Sequence, residues 1–213
     1  VQANKITYEM ARLELVRSAK NLPRLLPALE KWKKERDLIT LESRKIQAQQ
    51  GVAPLRKPSR HVPAVDDWLA SFRATRMRYK FLVLEGPSCV GKTQFSSSLS
   101  PSNRFLEVDC SGCVEPDLRR YDALLHDVIL FDEATCELVL RCKKLFQASL
   151  STVILASSGT NCHSYQVWVY RKQLIVSSNR WSLELAQLSH PDREWLVANS
   201  VHVAVTSPLW IAD

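Results

Sequence analysis

The sequence predicts an α/β fold built on a mostly parallel central sheet. Three observations carry that prediction. The runs FLVLE (81–85), DVILFDE (127–133) and QLIVSSN (173–179) have apolar cores without alternation, as strands buried on both faces must. Stretches of helical spacing separate strand candidates, and such interleaving favours parallel pairing. A glycine-framed loop directly follows the first run and opens a helix.

Composition sets the limits. At 213 residues the chain is one ordinary domain, or one domain with a small accessory piece. Its 46% hydrophobic and 24% charged content excludes a chain disordered throughout. No apolar run approaches the eighteen or so residues of a membrane-spanning helix, and no secretory leader is recognisable. The Val start is read as the edge of a piece of something longer. Six cysteines are too few for a disulfide scaffold, so reduced thiols and an intracellular setting are expected. Charge is uneven: residues 1–63 hold 14 Lys and Arg against 6 Asp and Glu, whereas residues 64–213 hold 15 against 16. A basic first third suits an anionic polymer, or simply a solvated helical surface.

Along the chain, residues 5–19 place Ile6, Met10 and Leu13 at helical spacing behind Asn4 as N-cap. A second helix is expected from Asn21 and Pro23 through Leu38, bent or restarted at Pro27, and a third over 38–49. These three carry few apolar residues and call for a packing partner, which defines residues 1–50 as a helical oligomerisation region. Residues 51–65, with three prolines and four basic residues, read as an extended linker, and 66–213 as the main domain. Asp66–Ala74 is expected to be helical with an acidic first turn. Beyond FLVLE, a helix is expected over Lys92–Leu99, a strand at 104–110, a helix end near 143–149, and a hairpin of TVILAS (152–157) and YQVWVY (165–170).

The motif with most chemistry is Gly86-Pro87-Ser88-Cys89-Val90-Gly91-Lys92-Thr93, a complete G-x-x-x-x-G-K-[ST]. Glycines at both ends let backbone N–H groups curl onto an anion. Lys92 then reaches the β- and γ-phosphates of ATP, and the Thr93 hydroxyl ligates Mg²⁺. Forty positions past Lys92, an apolar strand ends in Asp132 and Glu133, placed to hold the metal and to polarise a water. Asn179, at the tip of the last apolar strand, is a candidate γ-phosphate sensor. Each of these alone is also an ordinary strand-end feature; their order gives them value.

This order inside Gly86–Asn179, together with LFQAS, SGTNCHSYQVWVYRKQ and VSSNRW, resembles the superfamily 3 helicase part of replication-initiator (Rep) proteins of circular single-stranded DNA viruses. The resemblance covers about residues 64–210. It implies an AAA+-like P-loop ATPase domain that assembles as a homo-oligomer, a hexameric ring, and moves along single-stranded DNA in the nucleus of a host cell. It assigns Lys92 and Thr93 to nucleotide and metal, Asp132 and Glu133 to metal and water, and Asn179 to sensing. Relatives also carry a nicking endonuclease with a His-hydrophobe-His pair; here His61, His126, His163, His190 and His202 are dispersed, so nicking is not carried over. Ser88 and Cys89 also depart from many relatives.

Three further assignments follow. The turn 157–164 is the candidate DNA-touching tip, with His163 on it and Arg171 and Lys172 behind it as phosphate contacts; each is equally an exposed turn residue. Arg193 is preferred over Arg180 as the arginine a ring ATPase supplies to its neighbour, although either also suits a surface ion pair. Cys110-x-x-Cys113 lacks a second pair, so zinc is not expected. Trp168, Trp181, Trp195 and Trp210 read as core or interface rather than base-stacking platforms, whereas Trp32, among Lys31, Lys33 and Lys34, suits nucleic acid or equally a subunit contact. The expected activity is ATP-driven movement on single-stranded DNA, without membrane or small-molecule acceptor. The rivals are an RNA motor of the same superfamily, a small-molecule kinase, and a degenerate ATPase acting as scaffold.

Overall fold

A computed structural model describes residues 30–31, 33–34, 60–100, 104–156 and 164–211. The chain divides into two units, Val1–Leu55 and Arg56–Asp213. In the first, residues 30, 31, 33 and 34 are helical. The three N-terminal helices expected from sequence, and linker positions 51–59, otherwise lie outside the described residues. Among the described residues no helix is long and apolar enough to cross a membrane.

The second unit begins its regular structure earlier than expected. Helix α1 spans Pro63–Ala70, with Pro63 in the first turn, and a 3₁₀ turn Ser71–Arg73 follows. Residues 63–65 are therefore helical rather than linker. Pro suits a helix start because its missing N–H has no intrahelical acceptor there. Val65 and Trp68 are the helix's buried residues, and the Trp68 indole donates to the Lys80 carbonyl at 2.7 Å.

From there the chain alternates. Strand β1 (Phe81–Glu85) leads to α2 (Lys92–Ser98), β2 (Phe105–Asp109) and β3 (Val128–Asp132). Next come α3 (Cys136–Arg141), α4 (Lys143–Phe146), β4 (Val153–Leu155) and β5 (Tyr165–Val167). Strand β6 (Gln173–Ser178), α5 (Trp181–Gln187), α6 (His190–Asn199) and β7 (Ser200–Ala204) complete it. The Thr135 hydroxyl caps α3 by accepting from Leu138 N–H at 3.2 Å, and Ser189 caps α6 from Asp192 N–H at 3.4 Å.

Five strands form one sheet in the order β2-β3-β6-β1-β7, every pair parallel. Strands β1, β3 and β6 occupy the middle and are buried almost end to end, which is why their sequences are continuously apolar. The edge strands alternate instead, with Leu106 and Val108 of β2 inward and Glu107 and Asp109 outward. Alternate residues of the central strands feed two cores, one on each face. Phe81, Val83, Ile129, Phe131 and Val176 meet Leu138, Phe146, Trp181 and Leu196 of the later helices. Leu82, Leu84, Leu130 and Ile175 meet Val65 and Trp68 of α1 and Phe95 of α2. Helices on both faces explain why no central strand keeps a polar side.

β4 and β5 pair antiparallel as a separate two-stranded sheet, Val153 opposite Val167 and Leu155 opposite Tyr165. Each is shorter than its apolar run: β4 stops before Ala156, which has a φ of 53°, and β5 stops ahead of the turn through Arg171, which has a φ of 59°. The tip, residues 157–163, lies outside the described residues.

Candidate functional site

Because the sheet is parallel, the carboxyl ends of β1, β3 and β6 open on one edge, where α/β sheets hold their ligands. The loop after β1 carries the glycine motif, the turn after β3 carries Asp132 and Glu133, and the residue after β6 is Asn179. Inserting β6 between β1 and β3 puts Asn179 between the motif and the acids.

The loop's shape has two separate causes. At Gly86 the reason is space: a Cβ there would lie 3.0 Å from Val205 Cβ and closer still to the Val205 carbonyl oxygen. At Gly91 it is conformation as well, with φ of 87° and the Trp210 ring 2.8 Å from where a Cβ would sit. Cys89 also turns left-handed, at φ 64°. The segment after β7 holds this loop from below. Val205 N–H donates to Glu85 C=O at 2.6 Å, Leu209 N–H donates to Val90 C=O at 2.9 Å, and Leu209 C=O accepts from Arg60 N–H at 2.8 Å.

Lys92 is 6% exposed and donates three hydrogen bonds: to Gly86 C=O at 2.8 Å, Pro87 C=O at 2.9 Å and Asn179 Oδ1 at 2.8 Å. Burial lowers its pKa, opposed by the nearby charges of Glu133 and Asp132. The Asn179 amide donates to both oxygens of Glu133, at 3.0 and 3.3 Å. Asn179 thus bridges the lysine and the carboxylate by opposite ends of one amide. Glu133 itself has a φ of 55°, a strained conformation for a non-glycine residue. Asp132 accepts from the Ser177 hydroxyl one strand away. Behind it Glu107 is raised in pKa by burial and then by the charges of Asp132 and Asp109.

A cavity of about 420 Å³ joins these groups, lined by Ser88, Lys92, Thr93, Asp132, Glu133 and Trp210 among others. That is within the ~300–1,000 Å³ usual for small-molecule sites. A second cavity, of about 500 Å³, shares Glu133 with the first and is also lined by Asn179, Arg180 and Glu184.

Of the residues expected from sequence, Gly86, Pro87, Ser88, Cys89, Val90, Gly91, Lys92, Thr93, Asp132, Glu133 and Asn179 belong to this one edge. The remaining assignments fare differently. Arg193 donates to the carbonyls of Leu185, Ala186 and Leu188 at 3.2, 2.9 and 3.2 Å, which closes the C-terminal end of α5 and engages its guanidinium structurally. Lys172 donates to Ala123 C=O at 2.7 Å and pairs with Asp127 at 3.1 Å, so it staples a loop. Arg171 donates to Phe72 C=O at 3.0 Å. These are the bonds the three basic side chains make within the chain; a phosphate contact for Arg171 and Lys172 and an inter-subunit role for Arg193 remain proposals. His163 lies outside the described residues. Sequence reasoning missed Ser177, inside a motif it had singled out, and Trp210, whose approach to Gly91 spans more than a hundred positions. It also missed Glu85, which accepts from Ser182 N–H at 2.8 Å, from Ser182 Oγ–H at 2.5 Å and sits 2.8 Å from His202 Nε2.

No family model matches the chain, and no curated protein matches it. Among solved structures it is similar to NtrX from Brucella abortus in complex with ATP: 16% identity, 88% of this chain, TM-score 0.36. The ADP complex of NtrX gives 15% identity over 92% of this chain at the same TM-score. The chain spans 45% of the length of either NtrX chain. At that score the likeness is loose; the α/β architecture with a five-stranded parallel sheet rests on the strands themselves.

Proposed function

We propose that this chain binds ATP with Mg²⁺ at the carboxyl edge of its sheet and hydrolyses it. One observation supports this above the others: Asn179 hydrogen-bonds both Lys92 and Glu133, and these two line one cavity with Thr93 and Asp132.

The residues suit each role. The Lys92 ammonium, held on two loop carbonyls, is aimed where β- and γ-phosphate oxygens would enter, and a fixed cation there stabilises charge that grows in the transition state. The Thr93 hydroxyl and Asp132 carboxylate are hard oxygen donors of the kind Mg²⁺ takes, and the Ser177 hydroxyl fixes one Asp132 oxygen while leaving the other available. When bound, the ion supplies charge neutralisation between the phosphates. Glu133 accepts a proton from the attacking water, and the Asn179 amide orients its carboxylate for that task. Because the same Asn179 accepts from Lys92, a γ-phosphate that draws the ammonium away alters the clamp on Glu133.

The finer reading is an AAA+-like motor of the Rep kind, a homo-oligomeric ring moving along single-stranded DNA. A hairpin in its own small sheet, joined to the core just ahead of the sensor strand β6, supports it. Arg180, which lines the second cavity with Glu133 and Asn179, stands beside Arg193 as a candidate for the arginine supplied to a neighbour. The test is phosphate release from Mg-ATP by the full chain, with and without single-stranded DNA or RNA. Wild-type turnover with Glu133→Gln inert but still binding is expected, with DNA raising the rate. Absence of turnover under every condition sinks the ATPase; turnover indifferent to nucleic acid sinks the motor.

A further inference from the structure

The cavity has one wall that phosphate chemistry does not use. Lys92, Asp132 and Glu133 are charged and Thr93 is polar, but Trp210 is a large aromatic side chain with no counterpart in the motif. Its place is defined by the backbone around it. Leu209, immediately before it, is buried in the core and tied through its N–H to Val90 and through its C=O to Arg60. Two anchors on the preceding residue fix the backbone from which the indole projects. Its ring lies against Gly91, where a Cβ would stand 2.8 and 3.0 Å from two ring carbons. Glycine at 91 is thus what lets the indole approach the loop. Lys92 Nζ, by contrast, points back to Gly86, Pro87 and Asn179, toward the acids.

The cavity therefore has a charged part at Lys92, Asp132 and Glu133 and an aromatic flank at Gly91, beside Thr93 and Gln94. In a nucleoside triphosphate the terminal phosphate and the base lie at opposite ends of the molecule. With the γ-phosphate at Lys92 and Asn179, the ribose and base leave the loop on the side of Gly91. We propose that Trp210 is the nucleobase platform of this site, its indole face stacking on the base of the bound triphosphate. The proposal rests on the nucleotide reading above and adds what that reading lacks, a contact that distinguishes a nucleotide from a bare polyphosphate. Stacking is tolerant of base identity, because every base has a π face. The site accordingly takes ATP and GTP alike and holds the smaller pyrimidines less well.

The experiment is equilibrium binding by calorimetry of Mg-ATP, Mg-GTP, Mg-UTP and Mg-tripolyphosphate to the full chain. The proteins compared are wild type, Trp210→Phe, Trp210→Leu and Trp210→Ala, each checked by its melting curve. Wild type should bind ATP and GTP roughly 5- to 100-fold more tightly than tripolyphosphate. Trp210→Phe should keep most of that advantage. Trp210→Leu, which preserves apolar bulk against Gly91, should lose it along with Trp210→Ala, while tripolyphosphate affinity stays unchanged in all four. Nucleotide should also alter the fluorescence difference between wild type and Trp210→Phe, and tripolyphosphate should not. If Trp210→Leu retains the full preference, or if wild type binds tripolyphosphate as tightly as ATP, the platform is overturned while the phosphate site stands. If none of the four ligands binds, the nucleotide reading fails and the platform falls with it.

Discussion

Replacing Gly86 with alanine tests the packing under the loop. A Cβ at 86 would meet Val205 Cβ at 3.0 Å and the Val205 carbonyl carbon at 3.2 Å, with the oxygen nearer still. The obstacle is backbone, so no rotamer change relieves it. Either the loop rises or the segment 205–209 is pushed off. That segment is fixed by the Val205 to Glu85 and Leu209 to Val90 hydrogen bonds and by two buried side chains, Val205 and Leu209. Overpacking alone costs about 1–3 kcal/mol, and loosening one backbone hydrogen bond adds roughly 1 kcal/mol. A loss of about 3 kcal/mol corresponds to a melting temperature lower by roughly 6–12 °C for a domain of this size. Gly112→Ala is the control. Gly112 has a φ of 66° but nothing within 4 Å of its would-be Cβ, so only conformational strain of about 1 kcal/mol applies. Thermal unfolding followed by circular dichroism should rank wild type above Gly112→Ala and Gly112→Ala well above Gly86→Ala. If Gly86→Ala melts within the range of the control, the close approach of Val205 is not what selects glycine there.

Four other outcomes follow from the geometry. Lys92→Ala should lower Mg-ATP turnover roughly 100-fold or more, measured by phosphate release, since it removes the cation aimed at the developing charge. Asn179→Ala should cost about 1–2 kcal/mol in urea unfolding, because Lys92 loses one of three acceptors where water can partly replace it. Arg193→Ala should lower stability by about 1–2 kcal/mol and leave turnover at low temperature intact, as suits a side chain that closes α5; a folded but inactive variant would instead support the inter-subunit role. Glu85 gives a pH test. Burial raises its pKa, but hydrogen bonds from Ser182 and the neighbouring His202 outweigh that and hold it below the ordinary carboxylate value of ~4.3. Its contribution is complete above that value and disappears as pH falls through the lower folded value. Glu85→Gln should therefore flatten the acid side of the urea-midpoint profile, and an unchanged slope would refute the assignment.

The central sheet was legible because burial on both faces writes itself as an unbroken apolar run in β1, β3 and β6. Strand β7 was not, since SVHVA lies on an edge, alternates, and has no apolar run to distinguish it. The start of α1 was misplaced because Pro63 read as linker, although proline in a first turn is a helix signal. Within the site, the phosphate loop, the paired acids and Asn179 were readable since each sits at a strand end a fixed step from its strand. Trp210 and Glu85 were not, because their partners are remote in sequence: Gly91 for the first, Ser182 and His202 for the second. Sequence displays the charge of Lys172 and Arg193 but hides the carbonyls that absorb it.

The bond between Arg60 and Leu209 has a topological result. It brings the two ends of the described second unit side by side, so the path from 60 to 209 is nearly a closed circle. A short peptide joining them, with new ends opened at the exposed turn around Gly112, should yield a rearranged chain that still folds. This junction lies next to the strap that holds the glycine-framed loop.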